Sequence, residues 1–348
     1  MDDNSTLTTQ PTATVAGMVE DLRRLLDHDA PHRFVPLVLL PPITDICRRL
    51  ELPAPHVIGG NLVVGDLTEA QFVLSAHLDE SSFTVVDVGP QHLHVAACHR
   101  LSPNFTHAAV SFLGIRDGAV TDLGNAEVKL RQARLVARTA ADIRTGDRAV
   151  YHQPISVDGN QLSGTGIEDR TGAVIALHVA RVLTAHGVPC AVVLSDGEQH
   201  LPEGYFSRTF PHILPRLSPQ ARIIFLDGIF DPAARDGLPR IHPGALVVAH
   251  TGDGAGYTVA PQTFAALRDE LIPAATRAGI DVRVSSAYHS RGDDWGLVTN
   301  PTSGTDHDAM FVSFSGDGDT PTRRSIDLRA LTACRDFAVY VALNLAPV

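Results

Sequence analysis

The chain of 348 residues has 39 Asp and Glu against 28 Lys and Arg, which gives a formal net charge of −11 at pH 7. This balance argues against nucleic acid or an anionic membrane surface as a partner, because both need clustered Lys and Arg. Hydrophobic content of 44% is ordinary for a globular protein, and the chain lacks the run of about 18 apolar residues that a membrane-spanning helix needs.

The beginning of the chain and its cysteines bear on the compartment. Residues 1–14 are rich in Thr, Gln and Asp and have no apolar segment, so we expect a disordered lead-in and no signal peptide. The four cysteines are scattered without a CxxC pair, which favours small buried side chains in a reducing environment. We therefore expect a cytoplasmic protein.

Helical and strand patterns alternate through most of the chain. Leucines at helical spacing predict an opening helix over Val15–Leu26 and another within 37–50, after Pro41-Pro42. Strands are predicted at 60–64, 72–76, 191–195, 223–227 and 311–314, and helices at 171–186, 262–278 and 328–345. Apolar strands that alternate with helices predict an α/β sandwich around a largely parallel sheet.

The middle of the chain has a different residue pattern. Short alternating segments such as 93–97 and 149–152 are separated by Gly, Asp and Asn, which is typical of a small β-rich module. We predict that residues 84–160 form an inserted β-rich domain. Residues 15–83 and 161–348 would then form the main α/β domain.

The segment Ala-His-Leu-Asp-Glu at 76–80 is the strongest chemical signal, because it ends a predicted strand with His77 and Asp79. Residues two apart lie on the same side of a strand. The imidazole could therefore bind a metal ion while the carboxylate holds the other ring nitrogen. Since the tripeptide alone is weak evidence, a surface histidine at a strand end is the alternative.

Further carboxylates follow the other predicted strands. Glu198 comes just after strand 191–195, Asp227 ends strand 223–227, and Glu168 with Asp169 precedes a predicted helix. Active sites of open α/β sheets form at the carboxyl ends of strands, and a helix N-terminus favours carboxylates. One His with several carboxylates is the ligand set of a zinc, manganese or cobalt hydrolytic centre. Each acid alone could be a cap or a surface charge, but their order in the chain favours a shared site.

Six segments form an ordered set of motifs along the chain: Gly60-Asn-Leu62, His77-Leu-Asp-Glu-Ser-Ser-Phe83, Gly146-Asp147, Leu162-Ser-Gly-Thr-Gly-Ile-Glu-Asp-Arg-Thr-Gly172, Gly197-Glu-Gln-His-Leu-Pro-Glu-Gly204 and Gly304-Thr-Asp306. These motifs resemble those of the cocatalytic-metal aminopeptidases of the glutamyl aminopeptidase and tetrahedral aminopeptidase group. The resemblance runs from about residue 15 to 345 and keeps the order of the motifs.

The resemblance implies a fold and a class of activity. The implied fold is a three-layer α/β sandwich of the phosphorylase/hydrolase type, with a mixed, largely parallel sheet and an inserted small β-barrel. The implied activity is metal-dependent hydrolysis of a peptide or amide. The resemblance also implies self-association into a dimer or a larger homo-oligomer.

Carried over residue by residue, the resemblance implies a role for each acid. His77, Glu168 and Asp227 would hold the first metal ion. Asp79 would orient His77, and Glu198 would be the general base. Glu168 falls at the metal-bridging position with Asp169 beside it, and which of the two is the ligand stays open.

Two ligands of the second metal ion have no counterpart in this chain. Gln199, a neutral amide and a poor ligand, falls where the resemblance places a glutamate. The expected histidine near 318–320 is also missing, and an ungapped alignment places Thr320 there. Four other residues could replace the missing ligands: Asp317, Asp319, His200 and His307.

These departures favour a mononuclear site. Two divalent ions held about 3.5–4 Å apart need more negative charge than the remaining ligands offer the second ion. The leading hypothesis is therefore an aminopeptidase-like hydrolase with one divalent ion, zinc first and manganese or cobalt as alternatives. Its substrate would be a small peptide or an amide-containing metabolite. The competing hypotheses are an inactive peptidase-like binding or assembly protein, and a repurposed biosynthetic enzyme of cyclisation or amide chemistry.

Overall fold

The computed structural model describes most of the chain. The described residues are 15–99, 101, 104–131, 134–138, 142–199, 210–230, 241–248, 250–251, 257–258, 267–285, 307–318 and 324–346. All statements below refer to these ranges.

The chain opens with helices α1 (Val15–Leu26), α2 (Val35–Val38) and α3 (Leu40–Arg49). The helix predicted within 37–50 after Pro41-Pro42 is α3, which begins at Leu40, and the short helix α2 ends just before it at Val38. Pro41 and the proline after it explain the break: proline lacks the N–H of the helical ladder and is tolerated only in a first turn, where α3 places both.

The remaining elements alternate as the sequence predicts around an all-β segment. In chain order they are β1 (His56–Ile58), β2 (Asn61–Val64), β3 (Phe72–His77), β4 (Ser82–Val88), β5 (His92–Ala97), β6 (His107–Arg116), β7 (Ala119–Arg131), β8 (Arg134–Arg138), β9 (Arg148–Tyr151), β10 (Ser156–Asp158), β11 (Gln161–Gly164), α4 (Ile167–Ala185), β12 (Cys190–Ser195), β13 (Arg222–Ile229), β14 (Ala245–Val248), β15 (His250–Thr251), β16 (Tyr257–Thr258), α5 (Ile272–Arg277), β17 (Val282–Ser285), β18 (Ala309–Asp317), β19 (Arg324–Asp327) and α6 (Leu328–Leu345). The predicted helix 262–278 lies partly outside the described residues, and its described part is helical.

A mixed sheet forms the centre of the main domain. Among the described strands its order is β1-β2-β12-β3-β13-β18-β19-β11-β10, and β14 joins β18 to β17. The pairs β12·β3, β3·β13, β13·β18 and β14·β17 are parallel, and the other described pairs of this sheet are antiparallel. Because Ser195 pairs with His77, the carboxyl ends of β12 and β3 lie together, with the end of β13 beside them. This edge gathers the strand-end side chains, as the sequence predicts.

Helix α4 packs closely against this sheet. A Cβ atom at Gly172 would lie 2.1 Å from the carbonyl oxygen of Leu226 on β13, so only glycine permits the approach. The helix begins after Gly166, whose φ of 68° is left-handed. Glu168 and Asp169 therefore lie inside the first helical turn, whereas the sequence placed them before the helix. The close packing brings their carboxylates to the edge that carries His77.

The all-β segment closes into a barrel of order β4-β5-β8-β7-β6-β9. Its interior is a separate core that includes Phe83, Val110 and Phe112, each fully buried. The predicted α/β sandwich with a small inserted barrel is thereby confirmed. The barrel strands run from Ser82 to Tyr151, and the exact domain boundaries stay a prediction. No helix within the described ranges is both long and apolar enough to cross a bilayer.

His99 lies beside the barrel and gives a testable dependence of stability on pH. Its Nδ1 lies 3.2 Å from the Ser82 carbonyl oxygen and its Nε2 lies 2.7 Å from the Tyr151 hydroxyl. A neutral ring with the proton on Nδ1 donates to the carbonyl and accepts from the hydroxyl. Burial lowers the pKa of His99 to about 4, and the positive charge of Arg324 acts in the same direction.

We expect this histidine to make the fold sensitive to acid. Because its folded pKa is below the ordinary value of 6.5, its contribution is present above pH 6.5 and is lost as the pH falls towards 4. The His99→Gln variant should therefore lose less stability than the wild type between pH 7 and pH 4.5. Urea unfolding at several pH values measures the difference. If the free energy of unfolding falls equally with pH in the two proteins, His99 is not the source of the acid sensitivity.

Candidate metal centre

His77 is the central residue of the candidate site. It ends β3, it is only 2% exposed, and its Nε2 atom has no hydrogen-bond partner among the described residues. That nitrogen lies 3.5 Å from Asp227 Oδ1 and 3.7 Å from Glu198 Oε1. These separations are too long for good hydrogen bonds. The three ligand atoms nevertheless lie within 4.8 Å of one another, so a cation could touch all three.

Asp79 has a different principal contact from the one predicted. Its carboxylate accepts hydrogen bonds from the backbone N–H groups of Glu198 and Gln199, at 3.1 and 2.9 Å. The atom of Asp79 nearest to His77 Nδ1 is the backbone carbonyl oxygen at 3.3 Å, while carboxylate Oδ1 is 3.8 Å away. The side chain therefore fixes the turn after β12. It holds the general-base candidate in place and contacts the imidazole only weakly.

A second cluster lies behind Asp79 and was not found from the sequence. Asp196 follows β12, lies 2.9 Å from His32 Nδ1 and accepts the backbone N–H of Arg33, also at 2.9 Å. One ligand atom each from His32, Asp79 and Asp196 lie within 4.8 Å of one another. Burial and the neighbouring Asp196 raise the pKa of Asp79 to about 7. Asp196 carried the same strand-end signal as Asp227, but His32 follows a helix and carried none.

Helix α4 supplies the carboxylates on the other side of His77. One ligand atom each from His77, Glu168 and Asp169 form another group within 4.8 Å, so His77 belongs to two of the three groups. Oδ1 of Asp169 is buried without a hydrogen-bond partner among the described residues. Glu168 and Asp227 thus lie in different groups that share one imidazole. Which of Glu168 and Asp169 would be the ligand stays open.

Arg324 is the most consequential residue that the sequence did not single out. It begins β19, and its guanidinium forms an ion pair with Glu168 and lies 4.9 Å from the centre of the Phe230 ring. Burial raises the pKa of Glu168 to about 7, although the Arg324 charge works against this rise. Arginine is not a metal ligand, so no motif drew attention to it.

The structure does not bring the remaining candidates together. The Oε1 atom of Gln199 accepts a hydrogen bond from Ser81 Oγ at 2.8 Å. His307 is not near the centre: its Nδ1 lies 3.2 Å from the Ala221 carbonyl, before the start of β13. Asp227 lies six residues after Ala221 in the chain, a distance of about 20 Å at the usual rise of a strand. Asp319 and His200 lie outside the described residues.

The donor set fits a divalent cation. One buried imidazole nitrogen without a partner faces carboxylates, a combination that suits zinc, manganese or cobalt. Burial alone would lower the pKa of His77, but the charges of Glu198, Asp227 and Glu168 outweigh it and hold this pKa well above its ordinary value. The carboxylates therefore favour positive charge at this position, which is also what a metal ion supplies.

Comparisons with known proteins support the fold. No protein-family model and no curated protein matches the chain. Solved structures do match over nearly the full length. An aminopeptidase from the archaeon Desulfurococcus kamchatkensis superposes with a TM-score of 0.73 and 17% identity, covering 96% of this chain and 99% of that one.

Two further structures carry the same fold. A TET aminopeptidase from a marine-sediment Thaumarchaeota archaeon has a TM-score of 0.73 and 14% identity, covering 95% of this chain and 97% of that one. The Pyrococcus horikoshii TET1 peptidase, which can assemble into a tetrahedron or a large octahedral shell, has a TM-score of 0.71 and 12% identity, covering 93% and 99%. The chain thus has the fold of these aminopeptidases, as the sequence resemblance predicts.

Proposed function

We propose that this chain, which has the fold of the aminopeptidases described above, is a metal-dependent amide or peptide hydrolase with one divalent ion. The observation that carries the proposal is the buried Nε2 of His77. It has no hydrogen-bond partner in the described structure and faces Asp227 and Glu198 at 3.5 and 3.7 Å. A buried polar atom without a partner is costly unless a ligand satisfies it.

The ion would be held by His77, Asp227 and a carboxylate of the α4 turn, either Glu168 or Asp169. Zinc is the first candidate, with manganese and cobalt as alternatives. When bound, such an ion polarises a carbonyl group and lowers the pKa of a water molecule to about 7.

Glu198 is the proposed general base. Its side chain is 12% exposed, so a substrate can reach it, and its backbone N–H is fixed by Asp79. A carboxylate in this position would take a proton from the attacking water and pass it to the leaving amine. Asp79 would act as a positioning residue, because it holds the backbone of the turn and does not touch the substrate.

The substrate class and the assembly are part of the same proposal. A centre with a single ion favours a specialised small peptide or amide-containing metabolite as the substrate. The assembly of the Pyrococcus horikoshii peptidase into large shells suggests that this chain forms homo-oligomers.

A second candidate function is a peptidase-like binding or assembly protein without catalysis. The ion pair between Arg324 and Glu168 favours it, because a guanidinium already balances one of the proposed ligands. The neutral side chain of Gln199 favours it as well. The retained arrangement of Asp79 and Glu198 around His77 favours catalysis.

Metal analysis together with a hydrolysis assay separates the two functions. We expect the purified protein, dialysed against trace zinc, to retain one ion per chain by plasma mass spectrometry. It should hydrolyse some members of a panel of aminoacyl amides and dipeptides, lose this activity with a chelator, and regain it with zinc, manganese or cobalt. A chain that binds no ion and hydrolyses nothing would instead support the binding protein.

A further inference from the structure

We propose that the guanidinium of Arg324 takes the place of a second cation in this centre and limits the chain to one metal ion. The inference rests on the proposed metal centre and adds to it a built-in positive charge. It concerns how many ions the carboxylate cluster can hold.

The backbone register brings Arg324 to the cluster. Asp317 on β18 pairs with Ser325 on β19, and Gly164 on β11 pairs with Arg324. The residue therefore sits between the carboxyl end of β18 and the segment that leads into α4. From there its guanidinium reaches Glu168 in the first turn of that helix.

Three features hold the guanidinium in place. Its side chain is only 15% exposed, it forms the ion pair with Glu168, and it lies 4.9 Å from the centre of the Phe230 ring. Phe230 in turn packs edge-on against Phe314, with 6.3 Å between ring centres. The carboxylate and the aromatic ring both attract the guanidinium and fix its position. Its positive charge is permanent, because arginine does not lose its proton in proteins.

Charge explains why this arginine replaces an ion. Glu168, Asp169, Asp227 and Glu198 surround His77, and such a carboxylate cluster can attract two divalent cations about 3.5–4 Å apart. The guanidinium occupies an oxygen of Glu168 that a second ion would need. A second cation beside it would also meet direct repulsion.

The neighbouring amide gives the second ion no replacement ligand. Gln199 carries no charge, and its carbonyl oxygen is held by Ser81 at 2.8 Å. Among the described residues, a second ion would thus find no replacement ligand at Gln199 and would meet a guanidinium on Glu168.

Metal stoichiometry of Arg324 variants tests the inference without relying on activity. Wild type and Arg324→Lys, which keeps the charge, should bind one ion per chain. Arg324→Ala should bind a second, weaker ion at saturating metal, and Arg324→His, which adds an imidazole donor, should bind two ions firmly. With manganese, the electron paramagnetic resonance spectrum should show an isolated ion in wild type and a spin-coupled pair in Arg324→His.

Arg329→Ala is the matched control, because Arg329 lies nearby on α6, is largely exposed and pairs with Asp327 instead of the cluster. It should bind one ion. Thermal unfolding of each variant establishes that it is folded, and the lysine variant shows whether a loss of fold comes from losing the charge.

The possible failures are distinguishable. A wild-type chain that binds two ions overturns the inference but leaves a metal-dependent function standing. Folded Ala and His variants that both stay at one ion overturn it in the same way. A wild-type chain that binds no ion contradicts the proposed function and, with it, this inference.

Discussion

Replacing His77 with glutamine is expected to remove tight metal binding and to lower kcat/KM for amide hydrolysis by about three orders of magnitude or more. The reason is that His77 is shared by both groups of candidate ligands on this side of the sheet. Without its nitrogen, each group keeps only carboxylates, which hold zinc poorly compared with an imidazole. Metal content and steady-state kinetics, measured on the same preparation, test the expectation.

His92→Gln is a suitable control for this experiment. His92 begins barrel strand β5 and is exposed, so its replacement removes an imidazole without touching the candidate centre. The control should keep its ion and its activity. If His77→Gln is folded, binds zinc as tightly as wild type and hydrolyses the same substrate, the metal centre has been placed wrongly.

Local patterns in the sequence were enough to predict which side chains meet at this edge of the sheet. His77 ends β3, and Asp227 lies two residues before the end of β13. Parallel strands bring their carboxyl ends to one edge, so both side chains lie there. Glu198 follows another such strand by a few residues, so the order of the elements also predicts that it lies near His77. Sequence reasoning succeeded here because strand direction alone determines where these side chains lie.

The residues that were missed depend on contacts between distant segments. Arg324 and Glu168 are 156 positions apart, and their ion pair exists because β19 folds back beside β11. No spacing rule connects a guanidinium on β19 with the first turn of α4. His32 meets Asp196 across 164 positions in the same way.

Asp79 shows a second limit of sequence reasoning. The spacing of two residues correctly predicted that Asp79 lies near His77. It could not predict that the carboxylate turns towards the backbone N–H groups of Glu198 and Gln199, because that orientation depends on the turn after β12. Residue proximity follows from the strand, but the partner that a side chain selects depends on where a distant loop places its donors.

Replacing Glu198 with glutamine should separate its two conceivable roles, that of a base and that of a ligand. Its carboxylate lies 3.7 Å from His77 Nε2 in one group with Asp227, so the geometry alone permits both. As a general base, Glu198 contributes to rate: we expect kcat to fall by about 10²–10⁴, with KM and metal affinity nearly unchanged.

Glutamine has nearly the same size as glutamate, and in Glu198→Gln the backbone N–H at position 198 still donates to Asp79. If Glu198→Gln loses the metal ion, Glu198 is therefore a metal ligand, because the substitution leaves the turn in place. Glu198→Asp provides the complementary measurement, because it keeps the acid but draws it back by one methylene. Partial activity with full metal content in that variant, together with an inactive but metal-loaded Glu198→Gln, is the combination that the base role requires.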